Sequence, residues 1–552
     1  MRSFLVAIVS LALFASSASS QPADPTAEQW REDLRTLAER LPRVHVNAFH
    51  AISREEWMER VDALDRAIPA MSRHQVEIGF MRLVAAIGDG HTSLSPFYLP
   101  QLGFHAVSLR FYAFSDGIFV RAADAAHRDL VGARLTRVGT LPVEEAFARV
   151  ATTVSHDNDE GLKLVVPLYF GVAEVLNGLG IVPGDREISY TFEKDGKSIA
   201  AKLPATILLG HAAHGGGSVW VDPPGWIDAR DTASAPTPLW LKDPENLYWM
   251  EYLAPSKTLY VQYNGVANKT GESIAAFFRK VYAFAEEHPI DRFVIDLRHN
   301  QGGDSYYNTP LVAGLLRARL DARGTLFVLI GRSTFSAAQN LVNDLAKYAK
   351  PTFVGEPTGS RPNQYGDHDP IALPRSGLVV MASTFFHQDA GKHDVRPWTA
   401  PHLAAALTFD QYRRNVDPAM ETVERYRSIA KVLEGAAAAG DGESLEKAYR
   451  AFRTDARTAW IDPEREVNDL GYEMLGVGRI PVAVRLFRLN VDARPASANA
   501  HDSLGEAYLA AGELDLARAE YRRVLELSPG NENAARMIRE IERRAGGGEA
   551  HR

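Results

Sequence analysis

Two strand-to-helix turns lie back to back between Phe293 and Ala338, and they constrain the fold of this chain more than any other stretch. The first follows the apolar run Phe293-Val294-Ile295-Asp296-Leu297, of strand length, and breaks at Asn300-Gln301-Gly302-Gly303, where the backbone can be approached closely. The second follows Leu326 to Ile330 and turns at Gly331 into Ser333-Thr334-Phe335-Ser336-Ala337-Ala338, which offers N-cap residues and then helix formers. Strands and helices that alternate in this way predict an α/β sheet with its functional site at the strand ends. A helix start presents free N–H groups and the positive end of a dipole. A serine placed there can attack a carbonyl with donors ready for the oxyanion, so Ser336 is the candidate nucleophile. Taken singly, that serine reads as a helix cap and Asn-Gln-Gly-Gly as a turn. Their order on consecutive strand–helix units is what points to a site.

Three motifs then carry a resemblance. Asp296-Leu297-Arg298-His299-Asn300-Gln301-Gly302-Gly303, Thr334-Phe335-Ser336-Ala337-Ala338 and Gly355-Glu356-Pro357-Thr358-Gly359 resemble the core of the tail-specific (C-terminal-processing) serine peptidases. The nearer branch is the one that holds tricorn-type peptidases and the retinoid-binding protein of the eye, and the resemblance covers about Gly79 to Val423. It implies a serine peptidase core of ClpP/crotonase type, with an oxyanion hole made by the N–H of Ala337 and one from Gly302 or Gly303. Tricorn-type members carry their catalytic histidine in an N-terminal helix-to-loop segment. Here that segment is Gly88-Asp89-Gly90-His91-Thr92-Ser93-Leu94, which makes His91 the expected general base. Alone, a histidine in a glycine loop is solvated or bonded to backbone, and relatives that use a lysine base also carry Asp-x-His-Thr. In the processing branch a lysine follows Gly-x-x-Thr, whereas this chain has Gly359-Ser360-Arg361, and arginine does not deprotonate in proteins. Histidine, with an ordinary pKa of about 6.5, accepts and returns a proton near neutrality. By the same resemblance Asp394 is the carboxylate expected to orient His91, with Glu356 and Asp367 as rivals.

The remaining chain divides around this core. Its 552 residues allow three or four domains, and a net charge of -8 leaves no basic footprint for nucleic acid. Arg2, the apolar run Phe4 to Ala15 and Ala18-Ser19-Ser20 form a leader over residues 1–20, which predicts export to a periplasm or to the medium and no membrane attachment after cleavage. There is no cysteine, which excludes a thiol nucleophile and thiolate metal sites, and the histidines form no metal-binding pair, so no cofactor or metal is expected. Thr26, Ser53 and Ser72 each start a helix of an N-terminal cap (21–100), the first ending at Pro42. Residues 101–205 read as a β-rich PDZ-like module, with hairpin turns at Asp116-Gly117 and Asp195-Gly196 and a helix before Gly178. Pro204 to Asn246, including Gly215-Gly216-Gly217, reads as a crossing between domains, so the core spans 206–425.

In the tail (426–552), Leu470, Gly471, Ala483, Phe487 and Pro495 recur as Leu504, Gly505, Ala517, Tyr521 and Pro529, each pair 34 residues apart. That is the tetratricopeptide period, and it predicts an all-α repeat domain that leans on the core or on a helical pair around Leu433 to Trp460, as a partner-docking groove or as a brace. Asp417-Pro418 reads as a segment end rather than as chemistry. The reading is an exported serine endopeptidase that cuts peptide or protein substrates through an acyl-enzyme. A non-catalytic ligand- or peptide-binding protein on the same fold, and a scaffold built on the repeats, are the alternatives.

Overall fold

The computed structural model describes residues 24–99, 102–209, 219–321 and 324–547. The leader and Gly215-Gly216-Gly217 lie outside the described residues. Helices α1 (Ala27–Val44), α2 (Arg54–Ala67) and α3 (Arg73–Ala85) form the cap, with capping boxes at Thr26 and Ser72 and a cap at Ser53. The first helix does not end at Pro42 but runs on to Val44. A proline in the last turn removes a single intrahelical bond and leaves the preceding turns intact.

The β-rich module comprises β1 (His105–Ala106), β2 (Leu109–Phe114), β3 (Gly117–Ala123), β4 (Arg134–Val138), β5 (Leu141–Pro142), β6 (Glu187–Lys194), β7 (Lys197–Pro204) and β8 (Ile207–Leu208). Its sheet runs β2-β3-β4-β6-β7, every neighbouring pair antiparallel. Helices α4 (Val143–Ala151), α5 (Asp159–Tyr169) and α6 (Ala173–Gly178) are inserted before β6, more helix than the sequence reading assigned. Asn158 caps α5 by accepting from the N–H groups of Glu160 and Gly161. Packing crosses the expected boundary near residue 100. Trp57, Phe80, Phe111, Phe192, Ile371 and Val380 belong to one hydrophobic core that joins the cap, the module and a hairpin of the peptidase core.

The described part of the crossing segment is a packed clamp. Strand β9 (Ile227–Asp228) pairs with β3. Trp220 and Trp240 pack with Tyr112, Phe114 and Tyr412, and buried Arg121 is paired with Asp222 and Asp228. The central sheet then forms from β10 (Tyr248–Leu253), β11 (Thr258–Tyr263), β12 (Arg292–Asp296), β13 (Leu326–Ile330), β14 (Thr352–Gly355) and β17 (Leu403–Ala404), in that order, parallel from β11 onward. Between β14 and β17 the chain projects the hairpin β15 (Gln364–Ala372) and β16 (Val379–His387), which packs on the cap.

Both faces of the central sheet are covered. Leu259, Val261, Ile295 and Val328 meet α7 (Ile274–Glu287), α8 (Thr309–Arg317) and α9 (Ala337–Tyr348). Tyr260, Val294, Phe327, Leu329 and Val354 meet α11 (Pro418–Arg425) and α12 (Ile429–Ala439), which follow the short α10 (Phe409–Arg413). The same cluster continues into α13 (Gly442–Thr454), α14 (Glu464–Gly476) and α15 (Ile480–Ala493). Helices α16 (Ala498–Ala511), α17 (Leu514–Leu527) and α18 (Glu532–Gly547) close the tail around a second core, to which α15 adds Ala483 and Phe487. The starts of α14, α16 and α18 are spaced by the 34-residue period of the sequence. Among the described residues no helix is long and apolar enough to cross a membrane.

Candidate active site

Ser336 stands at the end of the turn between β13 and α9, as the N-cap of that helix, with φ 54° and ψ −126°. A serine there is strained, and a strand–turn–helix corner of this kind thrusts the hydroxyl out of the sheet. The turn is tied to its neighbour. Thr334 Oγ1 donates to the Leu297 carbonyl at 3.0 Å, and Phe335 N–H donates to the Asn300 carbonyl at 3.1 Å. Asn300 in turn accepts the Gly302 N–H on Oδ1 at 2.9 Å and donates through Nδ2 to the Tyr263 carbonyl at 2.9 Å. Gly302, at φ 106°, has to be glycine: a Cβ would stand 2.6 Å from Ser336 Cβ.

His91 comes from the other side of the site, on the loop after α3. Buried Asp89 organises that loop. Its Oδ1 accepts from the N–H groups of His91 (3.0 Å) and Thr92 (2.7 Å) and from Ser383 Oγ (2.8 Å), and its Oδ2 bonds His45 Nε2 at 2.9 Å. Burial would raise the Asp89 carboxyl, but His45, the Thr92 N–H and Ser383 together bring it down to about 2. The outcome is an imidazole whose Nε2 lies 2.9 Å from Ser336 Oγ and whose ring stacks on Phe335 with centroids 4.5 Å apart. Burial lowers the His91 pKa to about 4; Asp89 works against this shift and His368 and His387 add to it. His91 Nδ1 is buried without a hydrogen-bond partner among the described residues.

None of the carboxylates nominated to orient His91 bonds its Nδ1, which has no partner among the described residues. Asp394 is gripped by Arg396, two residues on in the same loop, at 2.5 Å, an arginine fork that outcompetes a distant imidazole. Glu356 pairs with Arg332 at 2.8 Å, and Asp367 is exposed, 3.7 Å from His387. The Arg361 side chain donates to the Asp157 carbonyl at 2.7 Å. Of the donors expected to face the oxyanion, Gly302 has its N–H spent on Asn300. Gly303 bridges Val266 through the residues on either side of it, which leaves its own N–H facing away from Val266. Ala337 opens α9, where an N–H has no intrahelical partner, and the Ser336 carbonyl of the same peptide accepts from the N–H groups of Gln339 (2.8 Å) and Asn340 (3.1 Å).

A cavity of about 480 Å³ opens beside the pair, between the His91 loop, α5 and the Ser336 turn. Leu94, Phe97, Leu168, Tyr169 and Phe335 give it apolar walls, with Arg110, Arg332 and Asp157 as charged groups. Asp157 Oδ1 accepts the Gly90 N–H at 2.7 Å, and burial pushes its carboxyl up to about 6. Asp89 and Asp157, the two residues that hold the histidine loop, escaped the sequence reading. The only sign of Asp89 was its place two residues before His91, and Asp157 lies far away in sequence. Among the described residues no group of three His, Cys, Asp or Glu side chains is placed to hold a metal ion.

No family model and no curated protein matches the sequence. The likeness to known proteins lies in the fold. Mature CPAF complexed with lactacystin superposes with a TM-score of 0.51 at 11% identity, covering 72% of this chain and 97% of that one. Mature CPAF alone gives a TM-score of 0.50 at 12% identity, over 75% of this chain and 98% of the other. About three quarters of this chain therefore shares its fold with a solved protein.

Proposed function

On a fold shared with mature CPAF, and with a serine and a histidine in hydrogen-bond contact at its centre, we propose that this protein is an exported serine peptidase acting through an acyl-enzyme. The observation that carries the reading is the 2.9 Å contact of His91 Nε2 with the hydroxyl of a serine whose backbone is held at positive φ. A serine hydroxyl is a weak nucleophile near neutrality, so its proton has to be taken as it attacks. His91 accepts it on Nε2, which requires the other proton of the neutral ring to sit on Nδ1. As the Ser336 Oγ–carbon bond forms, the carbonyl oxygen gains the negative charge and faces the N–H groups of Ala337 and Gly303. The C–N bond then breaks as His91 returns the proton to the leaving amine. Water repeats the sequence on the ester and releases the acid. Loss of one such donor costs about 3 kcal/mol of transition-state stabilisation.

The cavity beside the pair is the substrate's place in this reading, and cleavage within a polypeptide is the mode it proposes. The leader is read as an export signal to the periplasm or the medium, and the groove of about 1260 Å³ along α13, α15, α16 and α17 as the surface for a protein partner. One observation favours a second reading, a ligand-binding protein on the same fold: among the described residues His91 Nδ1 has no acceptor to hold its tautomer. Labelling of the mature protein with a fluorophosphonate decides between them. A peptidase labels, and loses the label in folded Ser336→Ala and His91→Ala variants. A binder does not label in any form.

A further inference from the structure

Ser336 holds a backbone conformation that a serine does not keep without support, and two side chains outside the serine–histidine pair surround it. The Ser336 N–H donates to Ser360 Oγ at 3.1 Å, and its carbonyl accepts from Gln364 Nε2 at 2.9 Å. Ser360 Oγ donates in turn to Gln364 Oε1 at 2.7 Å, which closes a ring of three hydrogen bonds around the residue. The ring admits one arrangement. A carbonyl only accepts, so the amide nitrogen of Gln364 has to face Ser336 and its oxygen has to face Ser360. Ser360 is 0% exposed and Gln364 1%, so opening the ring strands the Ser336 N–H away from water, while the Ser336 carbonyl keeps the N–H groups of Gln339 (2.8 Å) and Asn340 (3.1 Å). Ser360 is itself fixed from behind: Thr358 Oγ1 donates to its carbonyl at 2.9 Å, and Thr358 Oγ1 accepts the Thr399 N–H at 3.0 Å. The chain reaches this position only because residue 359 is glycine, since a Cβ there would lie 2.1 Å from the Arg332 carbonyl oxygen.

Resting on the reading of Ser336 as nucleophile, we propose that Ser360 and Gln364 are positioning residues for the reaction. They clamp the N–H and the carbonyl of Ser336 at φ 54°, so that the hydroxyl is aimed at His91 Nε2. They also take the Ser336 N–H out of the oxyanion hole, which assigns that role to Ala337 and Gly303 alone. Neither residue touches the reacting atoms. Their contribution lies in the first-order acylation step and not in the affinity for substrate.

The test uses the full chain and saturation kinetics with a fluorophosphonate, which separate probe affinity from the acylation rate. Ser360→Ala, which removes a single oxygen, and Gln364→Leu are expected to acylate roughly tenfold more slowly or worse, with probe affinity within about twofold of wild type. Gln364→Glu supplies a readout that a space-filling role would not move. Its carboxylate cannot donate to the Ser336 carbonyl but its protonated form can, so its rate relative to wild type rises as the pH is lowered from about 8 to about 5. Wild-type rates in Ser360→Ala and Gln364→Leu overturn the positioning role and leave the nucleophile standing. A wild-type protein that does not label, or labelling that survives Ser336→Ala, overturns both. Should the Gln364 variants fail to fold, Ser360→Ala decides alone, an unchanged rate rejecting the proposal.

Discussion

The surroundings of His91 favour its neutral form, and this sets the acid limit of the proposed chemistry. Its pKa lies near 4 against an ordinary value of 6.5, so the imidazole is available as a base well below neutrality. The fluorophosphonate acylation rate should hold from neutral pH down to about 5 and fall with a midpoint near 4. A midpoint close to the ordinary histidine value would show that the ring is solvated rather than buried. In the window between the two values the unfolded chain binds the extra proton, so His91 makes the fold more stable as pH rises. Asp157 acts in the opposite sense in nearly the same window. Its carboxyl is raised from 3.8 to about 6, so the stability it contributes is complete below pH 3.8 and is lost as pH rises through 6. Relative to wild type, Asp157→Asn should therefore gain about 2 kcal/mol between pH 4 and pH 7.5 in urea unfolding. A difference that stays flat with pH would mean that Asp157 titrates normally.

At the scale of elements, the two turns that present Gly303 and Ser336 are anchored by a buried charge network below them. Asp296, at the end of β12, meets Arg298 at 2.6 Å, and Arg298 meets Asp417 at 2.9 Å. Asp417 also starts α11, accepting from the N–H groups of Ala419 (3.0 Å) and Met420 (3.2 Å) with proline at the first helical position. The dipeptide read as a segment end is thus a helix start as well, and its carboxylate reaches across to the motif strand. Asp417→Ala takes away the cap and leaves Arg298 with one carboxylate in place of two. The expected loss is about 3–5 kcal/mol in chemical denaturation, with Asp417→Asn recovering the part due to the cap. Equal losses in the two variants would assign the whole effect to the ion pair. Gly302→Ala tests the turn itself. The methyl group would meet Ser336 Cβ at a strained φ of 106°, so labelling should disappear while α9 and β13 keep their amide protection.

Across the whole molecule, the first helices of the tail share a core with the central sheet. Helices α11 to α15 cover the sheet face made by Tyr260, Val294, Phe327, Leu329 and Val354. Cutting the chain after residue 425 would expose that face, and the truncated protein should aggregate or be degraded rather than persist as an isolated domain. Cutting after residue 496 removes α16 to α18, whose core is largely their own, and should leave labelling intact with a lower melting temperature. Labelling that survives the first cut would contradict the shared core. The cap is bound in the same way, because α1 to α3, the β-rich module and the β15–β16 hairpin share one interior. The candidate base and nucleophile, 245 residues apart in sequence, therefore approach through packing that spans three segments of the chain.

Local chemistry made much of this readable. The strand at Thr258 to Tyr263, the helix caps at Thr26, Ser53 and Ser72, the corner at Ser336 and the 34-residue helical period each follow from a few neighbouring residues and their backbone preferences. Ser336 and His91 were nominated on motifs that lie wholly within short stretches. What resisted reading was every partnership between distant residues. Asp394 faces Arg396 rather than the histidine, Gly302 gives up its N–H to Asn300, and Ser360 with Gln364 encloses Ser336. Backbone propensity and hydrophobic period act over a few residues and are written in the order of the chain. The direction of a buried hydrogen bond is chosen by whichever donor and acceptor the completed packing brings within about 3 Å, and only the tertiary structure decides that.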